Sequence, residues 1–525
     1  MTDRQRESKW WTLTVVCLAT FMLLLDITIV NVALPAIQRS LDASFSDLQW
    51  VVDAYALTLS VFLLVSGSIA DRIGRRLVFT AGLGVFSAAS LLCGLALSPM
   101  MLSLSRAAQG VGGAMMFATT LALIAQAFHG KDRAVAFGVL GAVNGGAVAI
   151  GPLLGGLLTQ GLGWRSIFLV NVPVGIAAIA LTLRMVPESR DPTPHGIDYL
   201  GAVLFSGSGV LAVLALIRGN ADRWTSPLIL GCLTGSAVLL VVFVFYELHH
   251  PSPLFDLSLF RKPAFCGVSV TAFSLSASMF AMFLYITLFL QNILRYAPLK
   301  AGLVVLPITL LSFFIAPIAG RLTQRIPARV FLGGGLLLVS IGLALMTHTT
   351  PESNWTVLLP GFIVAGIGIG MVNPPLASAA ISVVPPQRSG MASGINSTFR
   401  QVGIATGIAG LGAIFQARLE SSVSNSLRET ALAGQATAIA HAVATGGGRQ
   451  AVPASAPASA RAMVSQVARQ AFATGFNELF VVAAVIALVG AVVAAVTVRS
   501  KDFVSGGAPT RAAPDAAPAP AVPGP

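Results

Sequence analysis

The sequence predicts an all-α integral membrane protein with fourteen transmembrane helices. Three observations lead there. Fourteen apolar stretches run through the chain, each near the roughly 20 residues that a helix needs to cross the hydrocarbon core. Only 10% of the 525 residues are charged and the mean hydropathy is +0.83, so polar surface is too scarce to cover a soluble globule. The loops also alternate in Lys/Arg content. With the N-terminus inside, 19 of the 32 basic residues fall on the cytoplasmic side and 6 in the short outer loops. That bias places both termini in the cytoplasm, in a multi-pass protein of the cytoplasmic (inner) membrane. The formal charge of +12 is dispersed over loops, so it sets topology and does not point to nucleic acid.

The elements follow in order. A basic tail, 1–11, leads into span 1 (12–33), which contains Asp26. This stretch is too long for a signal peptide, and no small-residue cleavage site follows it. Spans 2 (48–69), 3 (77–98), 4 (101–127), 5 (134–158) and 6 (165–186) complete a first set, 12–186. The polar segment Pro187–Asp198 ends it, and spans 7 (199–217) and 8 (227–246) stand inside the linker region 187–262. Spans 9 (264–291), 10 (301–322), 11 (329–347), 12 (356–380), 13 (391–416) and 14 (476–498) make a second set, 263–498. An Ala/Ser/Gly-rich outer loop, 418–475, interrupts that set with short amphipathic runs. The tail 499–525 is Pro/Ala-rich and expected to be disordered. Cys17, Cys93, Cys232 and Cys266 lie in or beside spans without a CxxC pair and read as packing residues, so no metal site is expected.

The two sets repeat each other. GSIADRIGRR starts at Gly67 and GRLTQRIPAR at Gly320, 253 residues later. Gln109–Met115 (QGVGGAM) matches Ala365–Met371 (AGIGIGM) at offset 256. At the same offset Gly138 meets Gly394, Asn144 meets Arg400, and Gly151 meets Gly407. Duplicated halves are a common plan in secondary transporters.

Four motifs stand on this frame. The turn between spans 2 and 3 holds Gly67, Asp71, Arg72, Gly74, Arg75 and Arg76. Its glycines permit a tight reversal, and Asp71 can accept hydrogen bonds from basic side chains or from a helix N-terminus. Span 1 carries LDITIVNVALP, Leu25–Pro35. Span 4 carries Arg106, Gln109 and Gly110. Span 5 carries GAVNGGAVAIGPLLGG, ending in Gly151, Pro152, Gly155 and Gly156. The turn resembles the signature loop of the major facilitator superfamily, and the other three resemble motifs of its 14-helix drug:proton antiporters. The resemblance covers nearly the whole chain. It implies two six-helix bundles plus two extra central helices, and proton-driven export of hydrophobic or cationic drugs. No cofactor beyond the proton gradient is implied. The second half departs from the pattern: Gln324 stands for Asp71, Phe362 for Arg106, and Ile408 for Pro152. Proton coupling is therefore expected in the first half.

Charges at membrane depth sharpen that expectation. Each costs about 2.5–3.5 kcal/mol even on permissive insertion scales, so it faces protein or a water-filled cavity. Asp26 lies about 11 Å below the outer end of span 1, and Asp53 and Arg106 about 8 Å below those of spans 2 and 4. Three charges at similar depth can meet, and a carboxylate whose partners change as bundles move is what proton coupling requires. A static Asp–Arg pair that fixes packing is the plainer alternative. Arg400 in span 13 is a further deep charge, suited to an anionic group or a carbonyl.

By the family fold, spans 1 and 4 and their counterparts 9 and 12 line the cavity, which favours Asn31, Gln109, Gln291 and Asn373, with Arg400, as candidate substrate contacts. Each serves equally well as a helix–helix hydrogen bond. The resemblance further implies that span 5 faces the other half, here span 10, through Gly151, Gly155 and Gly156. No GxxxxGK[ST] occurs, so the chain carries no P-loop and no primary pump. No catalytic residues are expected, and the chain is not read as an enzyme. The reading is a proton-coupled exporter of drugs or toxic small molecules, with the bilayer, protons and a small-molecule substrate as partners. A dedicated exporter of an endogenous natural product would use the same machinery. A receptor or scaffold on the same frame is disfavoured by the intact turn, Asp26 and the span 5 motif. Nothing in the sequence supports a periplasmic adaptor.

Overall fold

The computed structural model describes residues 3–43, 45–128, 130–190, 198–222, 224–250, 257–296, 298–323, 325–384, 389–428, 430, 432–444 and 457–499. Among them the structure is helical, with no strand. The helices are α1 (Asp3–Leu41), α2 (Phe45–Ile73), α3 (Arg75–Gly94), α4 (Pro99–Ala127), α5 (Gly130–Gly161), the short α6 (Ser166–Leu169), α7 (Asn171–Met185), α8 (Tyr199–Asp222) and α9 (Pro227–His249). The second half holds α10 (Pro263–Leu288), α11 (Pro298–Leu322), α12 (Ala328–Leu345), α13 (Leu359–Ser382), α14 (Ser389–Arg428), α15 (Ala436–Ala444) and α16 (Ala458–Thr497). The tail beyond Arg499 and part of the 187–198 linker lie outside the described residues.

Every expected span falls on a helix, with span 6 divided into α6 and α7. Among the described residues ten helices are long and apolar enough to cross a membrane, and α2 is an eleventh if its two halves, bent by 49°, count as one. Spans 5, 7 and 9 fall on α5, α8 and α10, whose described apolar runs are shorter: Val135–Ala147, Leu200–Ala212 and Pro263–Met279. Local chemistry sets the ends. Ser98 accepts from the Met101 amide at 3.2 Å and Ser226 from the Ile229 amide at 3.4 Å, each followed by a proline in the first turn. Both caps satisfy donors that a helix start leaves unpaired, and the proline sits where no donor is lost.

The segment 418–475, expected as a loop with short amphipathic runs, is largely helical among its described residues. α14 runs on to Arg428, α15 occupies its middle, and α16 begins at Ala458. The reason is packing. Leu419, Val423 and Leu427 recur every four residues and are buried, as are Ile439, Ala440 and Val464, all within the core of the second half. Phe415, Phe472, Phe476 and Phe289 stack beneath them, Phe289 and Phe476 with centroids 4.9 Å apart. Arg418 pairs with Glu478 at 2.6 Å on the exposed side, tying α14 to α16.

Two interiors result. One gathers α1–α5 and α7 around Leu23, Phe79, Phe86 and Phe137. The other draws on buried residues between Val268 and Val498, in α10–α16 and the turns that join them. The duplication is visible in their helix crossings. A Cβ added at Gly82 would lie 2.9 Å from the Gly112 carbonyl oxygen, where α3 crosses α4. In the second half a Cβ at Gly335 would lie 2.9 Å from the Gly368 carbonyl oxygen, where α12 crosses α13. Offsets 253 and 256 relate these two pairs. Only glycine permits such backbone approach.

Candidate functional site

Asp26 on α1 is 1% exposed and accepts hydrogen bonds from three side chains on two other helices. Arg106 on α4, also 1% exposed, donates from Nη1 to Asp26 Oδ2 at 2.5 Å and to Gln109 Oε1 at 2.6 Å. Gln109 Nε2 donates to Asp26 Oδ1 at 2.9 Å and to Ser90 Oγ at 2.8 Å. Asn171 Nδ2 on α7 adds a 3.2 Å bond to Asp26 Oδ1. Arg106 Nε donates to the Val51 carbonyl at 3.1 Å, and the Tyr55 ring lies 4.2 Å from the guanidinium carbon. Arg106 and Gln109 share a face because they stand three residues apart on α4. In this dry setting the charges hold each other, and removal of either leaves the other buried and unpaired.

Ser90 and Asn171 belong to this network and sequence reasoning passed over them. A signal existed: Asn171 lies about 9 Å, and Ser90 about 12 Å, from the outer ends of their spans, the depth of Asp26 and Arg106. Gln109, expected in the cavity, is fully buried in this network instead. Its spacing to Arg106 turns it toward α1 and α3. The side chains of Asp53, Asn31, Gln291 and Pro152 lie outside the described residues.

A pocket opens between the two interiors. Asn373 and Arg400, both expected as cavity residues, line it, with Thr20, Thr120, Asn144 and Asn396. Phe117, Leu121, Phe137 and Leu140 supply its apolar wall. Arg400 Nη1 reaches Asn373 Oδ1 at 3.5 Å.

The α2–α3 turn acts as a junction. Gly74 has φ +130°, a conformation that side chains rarely adopt. Asp71 and Arg75 are buried, and Arg75 Nε donates to Asp71 Oδ1 at 2.9 Å. Asp71 Oδ2 accepts from the Met391 amide at 2.9 Å, in the first turn of α14 in the other half. Glu188, another residue that sequence reasoning missed, accepts from the amides of Arg76 and Leu77 at 2.9 and 3.1 Å and so caps α3. Arg76 Nη1 donates to the Val186 carbonyl at 3.2 Å, Arg72 is half-buried at the end of α2, and Gly67 is buried one turn earlier.

The seam on α5 differs from expectation. A Cβ at Gly151 would strike the Thr28 side chain, and one at Gly155 would lie 2.9 Å from Ile29 Cγ1, so both glycines pack on α1 in their own half. Gly156 meets nothing within 4 Å. The contact with α11 is made by Gly138, 3.0 Å from Pro317 Cα, by Gly141, 3.6 Å from Ala316 Cβ, and by Gly145, 3.6 Å from Ser312 Oγ, as Cβ distances. Gly138, Gly141 and Gly145 share one face at spacings of three and four. At 3.6 residues per turn Gly151 and Gly155 sit roughly a quarter turn away.

A family model described as the Major Facilitator Superfamily matches residues 16–408. The chain belongs to the Major Facilitator Superfamily. It is accordingly a multi-pass membrane transporter rather than an enzyme. Its relatives within the superfamily include the multidrug resistance protein Stp of Mycobacterium tuberculosis, 38% identical over 413 residues, which are 78% of this chain and 77% of that one. The puromycin resistance protein pur8 of Streptomyces alboniger is 37% identical over 407 residues, 76% of this chain and 80% of that one. Among solved superfamily structures, the human organic anion transporter MFSD10 aligns with a TM-score of 0.58 over 91% of this chain and 99% of that one. At 16% identity this last likeness shows the fold alone.

Proposed function

We propose that this transporter is a proton-coupled antiporter that exports drugs or toxic hydrophobic small molecules across the cytoplasmic membrane. In this reading both termini are cytoplasmic and fourteen helices span the bilayer. Residues 12–186 and 263–498 form the rocking bundles, and the helices of 187–262 stand between them. The observation that carries the reading is the Asp26–Arg106 pair, sealed among the apolar helices of the first half. A carboxylate held by three donors, one each from Arg106, Gln109 and Asn171, is costly to place at membrane depth, and a part in the transport cycle accounts for its presence there. Rearrangement of those partners as the halves move would change the free energy of protonating Asp26, which links proton entry to movement. Asp53 is a secondary candidate for the same relay. Asp71, Arg72, Arg75 and Arg76 latch the cytoplasmic side through the bond to Met391. The resistance functions named for the relatives support small-molecule export as the cargo class. A dedicated exporter of an endogenous natural product differs only in the pocket's selectivity.

The test is export by purified protein in proteoliposomes with an imposed ΔpH, against a panel of lipophilic cations, anions and neutral antibiotics. Uphill transport that collapses when ΔpH is dissipated is the expected result. Transport indifferent to ΔpH, or none for any compound, would remove the antiporter reading.

A further inference from the structure

The pocket between the halves is built from repeat-equivalent positions, and its two walls differ in chemistry. At offset 256, Phe117 corresponds to Asn373, Leu140 to Asn396, and Asn144 to Arg400, and all six line the pocket. The first half presents mostly apolar surface, with Phe137 beside Phe117. The second half presents amides and a guanidinium. Duplication has placed a greasy wall opposite a polar, cationic one.

The polar wall is short of acceptors. A guanidinium offers five donors. Among the described residues no carboxylate pairs with Arg400, and its polar contact is the long 3.5 Å approach to Asn373. Asn396 is 4% exposed, and its Nδ2 has no hydrogen-bond partner. Across the pocket the Asn144 Oδ1, an acceptor on the first half's wall, is also without a partner. A buried unmet donor such as Asn396 Nδ2 carries a desolvation cost that an acceptor would remove, and Arg400 beside it brings a charge without a counter-charge. Asp26 does not supply it, because Arg106, Gln109 and Asn171 hold it inside the first half and it does not line the pocket.

We propose that the pocket, closed down to about 20 Å³ in this conformation, opens as the halves part to bind organic anions: an aromatic or alicyclic body seats against Phe117, Phe137 and Leu140, and its carboxylate, enolate or phenolate docks on Arg400 and Asn396. This rests on the export reading and narrows its substrate class. It runs against the cationic cargo that the family resemblance implies. A lipophilic cation in this pocket would face an uncompensated guanidinium in a low-dielectric site, whereas an anion replaces the missing counter-charge.

Fluorescein and rhodamine 123 test the idea, because they share a xanthene body and carry opposite charge. Equilibrium binding to the purified full chain in nanodiscs is read by fluorescence polarisation, with no proton gradient, at a pH that keeps fluorescein ionised. Fluorescein is expected to bind the wild type more tightly than rhodamine 123. Arg400→Gln should weaken fluorescein by about 10- to 100-fold, the range for losing hydrogen bonds to a charged group, and leave rhodamine 123 equal or improved. Arg400→Lys should fall between, since a point charge replaces only part of the planar fork. Asn396→Leu should weaken fluorescein by a smaller factor, and it decides the matter if Arg400→Gln does not fold. Tighter binding of rhodamine 123 to the wild type, or equal loss of both dyes in either variant, overturns the proposal. Because binding is read without a gradient, its failure is separable from that of the export reading. Fluorescein binding through Arg400 without ΔpH-driven transport sinks only the antiporter, and ΔpH-driven export of rhodamine 123 with no fluorescein binding sinks only the anion site.

Discussion

The two halves share a frame and differ at its centre. Helix crossings at Gly82–Gly112 and Gly335–Gly368 repeat the same glycine-to-carbonyl approach. At the positions that hold Asp26 and Arg106 in the first half, offset 256 places Met282 and Phe362 in the second, both fully buried in an apolar core. One bundle therefore carries a charge pair where the other carries a thioether and a ring. Conversely the second half brings Arg400 to the pocket where the first brings Asn144. A duplicated scaffold tolerates this because the backbone contacts that hold each bundle do not involve the exchanged side chains. The lesson is a division of labour. On the proposed reading, the charge that handles protons sits inside one bundle, and the charge that meets a ligand sits on the inner wall of the other.

The largest effect expected is at Asp26. Asp26→Asn is nearly isosteric and should fold, keep dye binding, and lose ΔpH-driven accumulation in proteoliposomes altogether. Full uphill export by a well-expressed Asp26→Asn protein would erase the functional difference between the halves. Next is Arg106→Ala, which leaves the carboxylate buried and unpaired and should destabilise the first bundle by about 3–5 kcal/mol, measured by denaturant unfolding. Arg106→Lys should recover part of the loss in both stability and transport. Phe362→Ala in the dry half removes only packing, costs about 3–5 kcal/mol by the cavity route, and should leave the ΔpH dependence of residual transport intact. A shift in ΔpH dependence there would show that coupling is shared between the halves.

The contact between the halves gives smaller effects. Asp71→Asn removes the charge from the bonds to Arg75 and the Met391 amide, worth about 1.5–3 kcal/mol at most, and should lower turnover while leaving dye affinity unchanged. Loss of affinity with unchanged conformational exchange would place Asp71 in binding instead. Gly138→Leu should wedge α5 from α11 at a cost of about 1–3 kcal/mol and bias one conformation. Cysteine pairs between position 138 and α11 should crosslink, while pairs from position 155 should crosslink to α1 and not to α11. Crosslinking of 155 to α11 would restore the seam that the motif alone suggested. The smallest effect is Gly156→Ala, expected within about 0.5 kcal/mol because the added methyl meets nothing.

The sequence by itself marked the order of the apolar helices and the duplication, and it placed Asp26 and Arg106 at depths where they could meet. Those follow from local rules: apolar length against bilayer thickness, and the depth of a charge counted along a helix of fixed rise. It also marked Arg400 and Asn373 as polar groups in apolar helices. Tertiary structure decided which way each side chain turns. Gln109 closes on Asp26 rather than facing the pocket, and Gly151 and Gly155 pack on α1 rather than on α11. Helical rotation by a quarter turn moves a residue from one partner to another, and it is fixed by the packing of both helices, not by either sequence. The helical build of 418–475 was hidden for a related reason. Its Leu, Val and Ile residues are too sparse to form a span and become a helix face only when the core of the second half lies beneath them. The asymmetric pocket likewise belongs to neither half alone, since positions 256 apart in the chain come together only when the two bundles close on each other.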